Sequence, residues 1–344
     1  MNKSVGIIPF VLSITVSVLV IFGSCFSQIA KAVTTTDNIA VNTGAYPLKE
    51  KLNIPAKKPQ SEKAETNEQT TSVQVNTQKG NAVGKIYEQF LSPYSQKLNY
   101  SGIYIKNSAG ESLDIKNELS ASMELKIKKS KEPEVLIVHT HATESYMNED
   151  RAYYTAEDKA RSEDNNKNVV KVGEIFAEVL TKGGISVLHD KTHHDSPSYN
   201  QSYSRAKTTI NEYLSKYPSI KVVVDIHRDS IAMTGNDKCK PTAEINGKKA
   251  AQVMLVVGSQ TGTVSGFPDW KQNLRLALRF QQTMEASYPG LARAMLFCSR
   301  KYNMNLTKGS MLLEVGTDAN TLEEAIYSAE LAGNALLSVL NTLK

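Results

Sequence analysis

The chain has 344 residues, of which 40% are apolar, 22% charged and 7% aromatic, a balance that excludes collagen, coiled coil and wholesale disorder. Three cysteines, Cys25, Cys239 and Cys298, are too few for a disulfide framework or a cysteine-built zinc site. The net charge of +5 belongs mostly to the first ninety-eight residues: from residue 99 onward thirty Lys and Arg face twenty-nine Asp and Glu. No run of Lys or Arg in that nearly neutral part resembles a nucleic-acid footprint, so nucleic acid is not expected as a partner.

From Val5 to Phe26 the sequence is free of charge for 22 residues, with Lys3 before it and Lys31 after it. That length spans a bilayer of about 30 Å as a helix, and Lys3 sets the amino terminus in the cytoplasm. Ala30-Lys31-Ala32 also reads as a signal-peptidase site, so residues 1–32 are either a single-pass membrane anchor or a cleaved signal. In both readings the rest of the chain works outside the cytoplasm. Residues 33–98 are rich in Thr, Asn, Lys, Gln and Glu. They read as a flexible polar linker that buries too little apolar surface to offset its ordering entropy, with one short helix expected over 84–98.

Residues 99–344 then form one domain. The apolar run 135–141 predicts a buried strand, and 168–184, with Val169, Val172, Phe176 and Val179 at helical spacing, predicts a helix stopped by Gly183-Gly184. A strand over 185–190, a helix over 203–218 and strands over 221–227 and 250–258 follow. A long amphipathic helix from Trp270, a strand over 311–316 and a closing helix begun by Asn320 and Glu323 complete the series. Such alternation predicts an α/β fold: an open, mostly parallel sheet with helices on both faces. Ligands of such sheets bind beyond the carboxyl ends of the strands.

Three strands end in functional groups: His139-Thr140-His141, Asp225-Ile226-His227, and Glu314 before Val315-Gly316. Only six histidines exist, and three of them lie at these ends. Metal-assisted hydrolysis needs about three protein ligands, an open position and a carboxylate to move protons. His141 and His227 are candidate metal ligands, and Glu144, on the loop leaving the first strand, is a candidate oxygen ligand. Glu314, on an apolar strand, is the candidate general base, since burial raises a carboxylate's pKa toward the working range. His139 and Asp225 are expected behind the ligands or near substrate, and Asp225 is placed to orient an imidazole. The planar fork of Arg228 suits a substrate carboxylate, with a solvated ion pair as the alternative.

The segments EVLIVHTHATESY (134–146), VVVDIHRDS (222–230) and SMLLEVGT (310–317), in that order after an exported terminus, resemble the stage II sporulation protein P family. The resemblance covers about residues 105–344, and the family is similar in turn to the zinc N-acetylmuramoyl-L-alanine amidases. It implies zinc as cofactor and peptidoglycan as substrate. The bond cut would be the amide joining N-acetylmuramic acid to the stem peptide, with cross-link peptide cleavage as a further activity. It also implies a role in forespore engulfment beside stage II sporulation proteins D and M. Motif for motif, the amidases' histidine ligands fall on His141 and His227 and their catalytic glutamate on Glu314. Their glutamate ligand opens the helix after the first strand, where Asn166 stands here; Glu144, Asn166 and water remain alternatives for the third position. Two other readings stay open, a non-catalytic peptidoglycan-binding envelope scaffold and a metal-dependent deacetylase.

Overall fold

The structure, a computed structural model, describes residues 82–343. The expected membrane segment or signal and residues 33–81 of the expected linker lie outside these.

Eight strands make the main sheet: β2 (Leu98–Tyr100), β3 (Ile103–Asn107), β4 (Val135–Val138), β6 (Val187–His189), β7 (Val222–Asp229), β10 (Val253–Gly258), β11 (Met295–Cys298) and β12 (Ser310–Thr317). Their order is β2-β3-β11-β10-β12-β7-β4-β6. Strands β12, β7, β4 and β6 run parallel to one another, as do β3, β11 and β10. The two blocks meet antiparallel at β10 and β12, and β2 pairs antiparallel at the edge. The sheet is therefore mixed, where the sequence predicted a mostly parallel one. One result of the reversal matters for function. The carboxyl ends of β12, β7 and β4 share an edge with the amino ends of β10 and β11.

Central strands are buried on both sides, as VLIV in β4 shows with all four residues inside. Val135 and Ile137 face the larger core, whereas Leu136 and Val138 face the smaller one. The larger core is roofed by α2 (Val169–Lys182), α4 (Trp270–Ser287) and α5 (Leu322–Asn341), and the smaller by α3 (Ser202–Lys216). Helices thus cover both faces, which is why these strands read as continuous apolar runs without alternation. A short helix, α1 (Ile115–Ser120), completes the α-helices among the described residues, and a 3-10 turn spans Met304–Leu306.

A second sheet, of order β5-β1-β8-β9, has no counterpart in the sequence reading. It consists of β1 (Ala82–Gln89), β5 (Tyr153–Thr155), β8 (Lys238–Ile245) and β9 (Lys248–Ala251). Here residues 82–98 correct the expectation of a linker with a helix. β1 pairs parallel with β8 and antiparallel with β5, so residues 82–98 already belong to the fold that the sequence placed from residue 99 onward. Only Ile86 of β1 is buried, while Val83 and Tyr87 stay exposed, so no alternation betrays the strand. The expected strand 250–258 is likewise two strands in different sheets, divided at Gln252. That buried side chain accepts from Leu91 N (2.7 Å) and donates to Gly290 O (2.9 Å), fastening the segment after β1 to the loop before β11.

The closing helix α5 is capped one residue later than predicted. Thr321 Oγ1 accepts from Glu324 N (3.2 Å), and Thr321 N donates to Glu324 Oε2 (3.1 Å), a reciprocal capping box. Glu324 also pairs with the buried Lys240 of β8 at 2.7 Å, tying the two sheets to one helix end. Asn320 instead accepts from Thr317 N at 2.9 Å. Replacing the cap by Thr321→Ala is expected to lower stability by about 1 kcal/mol, read as a shift of the urea midpoint without change of slope.

Candidate functional site

Strand β4 ends at Val138, so His139, Thr140 and His141 leave the sheet in a turn. Asp225 of β7 pins that turn: its Oδ1 accepts from Thr140 N (2.8 Å) and its Oδ2 from Thr140 Oγ1 (2.6 Å). The two imidazoles then go different ways. His139 is fully buried, its Nδ1 2.9 Å from Ile226 O and its Nε2 2.8 Å from His189 Nε2. A carbonyl can only accept, so Nδ1 carries the proton of His139 and His189 donates to Nε2. Both rings are neutral. Burial, helped by the neighbouring ring, brings His139 down to about 3, and burial with the charge of Lys191 brings His189 to about 4. The pair lies against Gly173 of α2, where a Cβ would stand 2.6 Å from His139 Nε2 and 2.9 Å from His189 Nε2. His139 thus supports the backbone just before His227 and is sealed from substrate.

His141 turns instead toward His227, ring centroids 5.3 Å apart and planes nearly perpendicular. Its Nδ1 is buried with no hydrogen-bond partner. Burial, and then the charge of His227, lowers its pKa to about 4, leaving a neutral ring with a lone pair to offer. His227 sits between two carboxylates, with Nε2 2.9 Å from Asp225 Oδ1 and Nδ1 3.4 Å from Glu144 Oε2. The Asp225 oxygen lies off the line of the ring N–H, so this contact is an ion pair more than a hydrogen bond. Burial alone would depress His227, but the two carboxylates outweigh it and hold its pKa well above the ordinary imidazole value. In return, against the upward push of burial, contact with His227 brings both Glu144 and Asp225 to about 2.

Glu144 reaches this position because its loop is fastened at several points. Its carbonyl accepts from Val169 N (2.8 Å) at the start of α2, and Tyr146 Oη donates to Val315 O (3.0 Å) on β12. Glu314 lies opposite His227 in the β7–β12 ladder, with Oε2 closed off and unpartnered. Burial, and then the negative charge of Asp229, raises its pKa to about 8. Asp229 itself accepts from Arg293 Nη1 at 3.0 Å. Arg293 stands just before β11, and the sheet reversal brings it to this edge.

The structure therefore gathers His141, Glu144, Asp225, His227 and Glu314, with His139 behind them. Two expected residues are elsewhere in role or place. Arg228 is committed to backbone carbonyls, donating to Ser145 O (3.1 Å) and Ala160 O (2.6 Å), so its fork is unavailable to a substrate. Asn166 is exposed and bonds only to Asp164 of its own loop, while the buried Asn168 caps α2 through Val170 N (2.9 Å). The sequence reading also missed several residues. Tyr199 stacks on His141 (4.4 Å, 11°), Tyr203 lies parallel to His227 (6.4 Å, 15°), and Arg161 pairs with Asp195 at 2.5 Å. The spacing Tyr199 to Tyr203 was a weak signal; Arg161 and Asp195, distant in sequence, gave none.

The donor chemistry fits zinc, two imidazoles and a carboxylate being its ordinary company. The separation of 3.4 Å between Glu144 Oε2 and His227 Nδ1 suits two donors on one tetrahedral ion with bonds of about 2.0–2.1 Å. The orphaned His141 Nδ1 lacks the partner that a cation provides. Among the described residues, however, no three His, Cys, Asp or Glu side chains are grouped closely enough to enclose a metal. The donor types suit the ion, and the three side chains would have to draw closer together to enclose it.

Fold and cluster define an α/β protein whose sheet edge collects acid–base side chains. The chain belongs to the stage II sporulation protein P family, whose sequence profile matches residues 21–336. The stage II sporulation protein P of Bacillus subtilis (strain 168) is 32% identical over 211 residues, 58% of this chain and 49% of that protein. The match thus spans about half the length of that relative. Among solved structures, the CwlD amidase from Clostridioides difficile in complex with the GerS lipoprotein is 10% identical with a TM-score of 0.39, over 61% of this chain and 98% of that one. N-acetylmuramoyl-L-alanine amidase AmiC2 of Nostoc punctiforme is 12% identical with a TM-score of 0.36, over 63% and 97%. At such scores these likenesses say nothing about activity.

Gly173→Ala is expected to displace the His139–His189 pair and cost about 1–3 kcal/mol by overpacking, measured by urea unfolding. The folded pKa of His189 lies below its unfolded value of about 6.5. Its contribution is therefore intact above that value and is lost as pH falls toward 4. Melting temperatures recorded from pH 6.5 to 4 should fall less steeply in His189→Gln than in the native chain.

Proposed function

We propose that this chain is an exported peptidoglycan hydrolase of sporulation that cuts the amide between N-acetylmuramic acid and the stem peptide. The carrying observation is the convergence of His141, Glu144, His227 and Glu314 on one sheet edge, with buried, unpartnered atoms on His141 and Glu314. Membership of the family supports the sporulation setting. The uncharged segment 5–26, outside the described residues, supports attachment to the cell membrane with the domain outside the cytoplasm, or export as a signal. Among the described residues no helix is long and apolar enough to cross a membrane. Cleavage of cross-link peptides, a role in engulfment and cooperation with stage II sporulation proteins D and M belong to the same proposal and rest on the family alone.

In this reading His141, Glu144 and His227 would hold zinc, which supplies Lewis-acid polarisation of the scissile carbonyl. Glu314 takes the proton of the attacking water on its carboxylate and passes it to the leaving nitrogen, so no charged amide leaving group forms. One of its carboxylate oxygens, Oε2, is closed off from solvent. Asp225 fixes the His139–His141 turn and the ring of His227 together, so one side chain positions both imidazoles.

Incubation of the full chain with purified peptidoglycan tests this, the product being free stem peptide with a new amino terminus. Glu314→Gln is expected to lower the rate roughly 10²–10⁴-fold with the circular dichroism spectrum unchanged. A chelator should stop release and added zinc restore it. Full activity in Glu314→Gln, or release indifferent to the chelator, would sink the proposal; acetate as the product would point to a deacetylase.

A further inference from the structure

Beside the site lies one arginine whose fork is only half used. Arg161 pairs with Glu144 in an isolated antiparallel bridge, which sets its side chain beside the cluster. Nη1 donates to Asp195 Oδ2 (2.5 Å) and Thr143 Oγ1 (3.0 Å). Asp195 is an unusually firm anchor: its side chain is wholly buried, and it also accepts from Thr143 Oγ1 at 2.6 Å. The guanidinium carbon lies 4.8 Å from the ring centroid of Tyr199, whose ring stacks in turn on His141. One edge and the plane of the guanidinium are thus set by the protein.

The other edge is open. Nη2 makes a long ion pair with Glu144 Oε1 (3.9 Å), beyond hydrogen-bond distance, and among the described residues neither it nor Nε has a hydrogen-bond partner. The side chain is 41% exposed and Tyr199 57%, whereas the His141, Glu144 and Asp195 side chains that they touch are buried. This is the converse of Arg228, the arginine the sequence suggested for the task, whose donors are spent on backbone carbonyls. It differs also from Arg293, whose unpartnered Nε and Nη2 are shut away from solvent. A guanidinium held in place with a free pair of parallel N–H donors matches a carboxylate bidentately, which an ammonium cannot do.

We propose that Arg161, braced by Asp195 and Tyr199, recognises a free carboxylate of the bound peptide and so selects acidic stem peptides over amidated ones. The inference rests on the hydrolase reading above and adds the group by which the substrate is chosen. Arg161 is a recognition residue here: its free edge meets the peptide beside the amide, while the proton is moved by Glu314.

Two disaccharide–peptide fragments, identical except that the peptide carboxylates are free in one and amidated in the other, are given to the full chain. The native chain should favour the acidic fragment about ten-fold in kcat/KM, mainly through KM. Arg161→Ala should reduce that ratio to about one, and Arg161→Lys, which keeps the charge but not the fork, should retain a ratio of two to three. No preference in the native chain, or an equal loss on both fragments in Arg161→Ala, overturns the proposal and leaves the arginine as scaffold. Titration of the acidic fragment into Glu314→Gln separates this inference from the hydrolase reading. Binding that disappears with Arg161→Ala supports recognition even where no cleavage occurs, and absence of binding refutes it.

Discussion

Along the ladder between β7 and β12, Leu312 is opposite Asp225 and Glu314 opposite His227. Because side chains alternate, Leu313 and Val315 point into the larger core while Leu312 and Glu314 point to the other face. A slip of one residue would drive Glu314 into hydrocarbon and expose two core residues, which specifies the register strongly. After Glu314 the pairing shifts, and Gly316 takes φ +64°. A Cβ there would meet Asn320 Oδ1 at 2.7 Å and Ala251 Cβ at 2.8 Å, so glycine allows β12 to leave the sheet and enter α5 at once. The carboxylate and the imidazole face each other because two apolar strands cannot pair in any other way without cost.

Around that ladder several charged side chains are paired, most of them buried. Asp225, Glu144 and His227 form one group, the buried Asp195 holds the half-exposed Arg161, which also reaches Glu144, and Asp229 pairs with Arg293. Buried ion pairs add little net stability, since desolvation consumes most of their attraction. Their value here is positional. Asp225 holds a turn and a ring together, Asp195 holds an arginine by one edge, and the neutral His139–His189 pair wedges the backbone of β7 against α2. Strong perturbation of His141, His227 and Glu314 in opposite directions is the pattern expected where groups share protons or a cation.

The legible part of this protein was the part made of continuous apolar runs. Strands β4, β7 and β12 and helices α2, α4 and α5 bury wide faces, so hydrophobic periodicity reported them within a few residues. Site residues at the ends of those strands were legible for the same reason, as polar groups at the border of an apolar run. The second sheet was not, since β1 buries only Ile86 and β8 contains Lys240 and Pro241, residues that read as loop until Glu324 and the pairing partners are known. The predicted start of α2 at Asn168 agrees with its cap, whereas the resemblance that set Asn166 at the opening of that helix lands on an exposed loop residue.

By itself the sequence determined that strands and helices alternate, that three strands carry His141, His227 and Glu314 at their ends, and that an uncharged segment precedes a polar stretch. Those are local properties, written in periodicity and composition. Tertiary structure alone decided the reversal of β10 and β11 that brings Arg293 to the site edge, the commitment of Arg228 to the backbone, and the open edge of Arg161. Each of these depends on which donors meet which acceptors across long sequence separations, and side chains of the same type differ in function only through the partners that folding assigns to them.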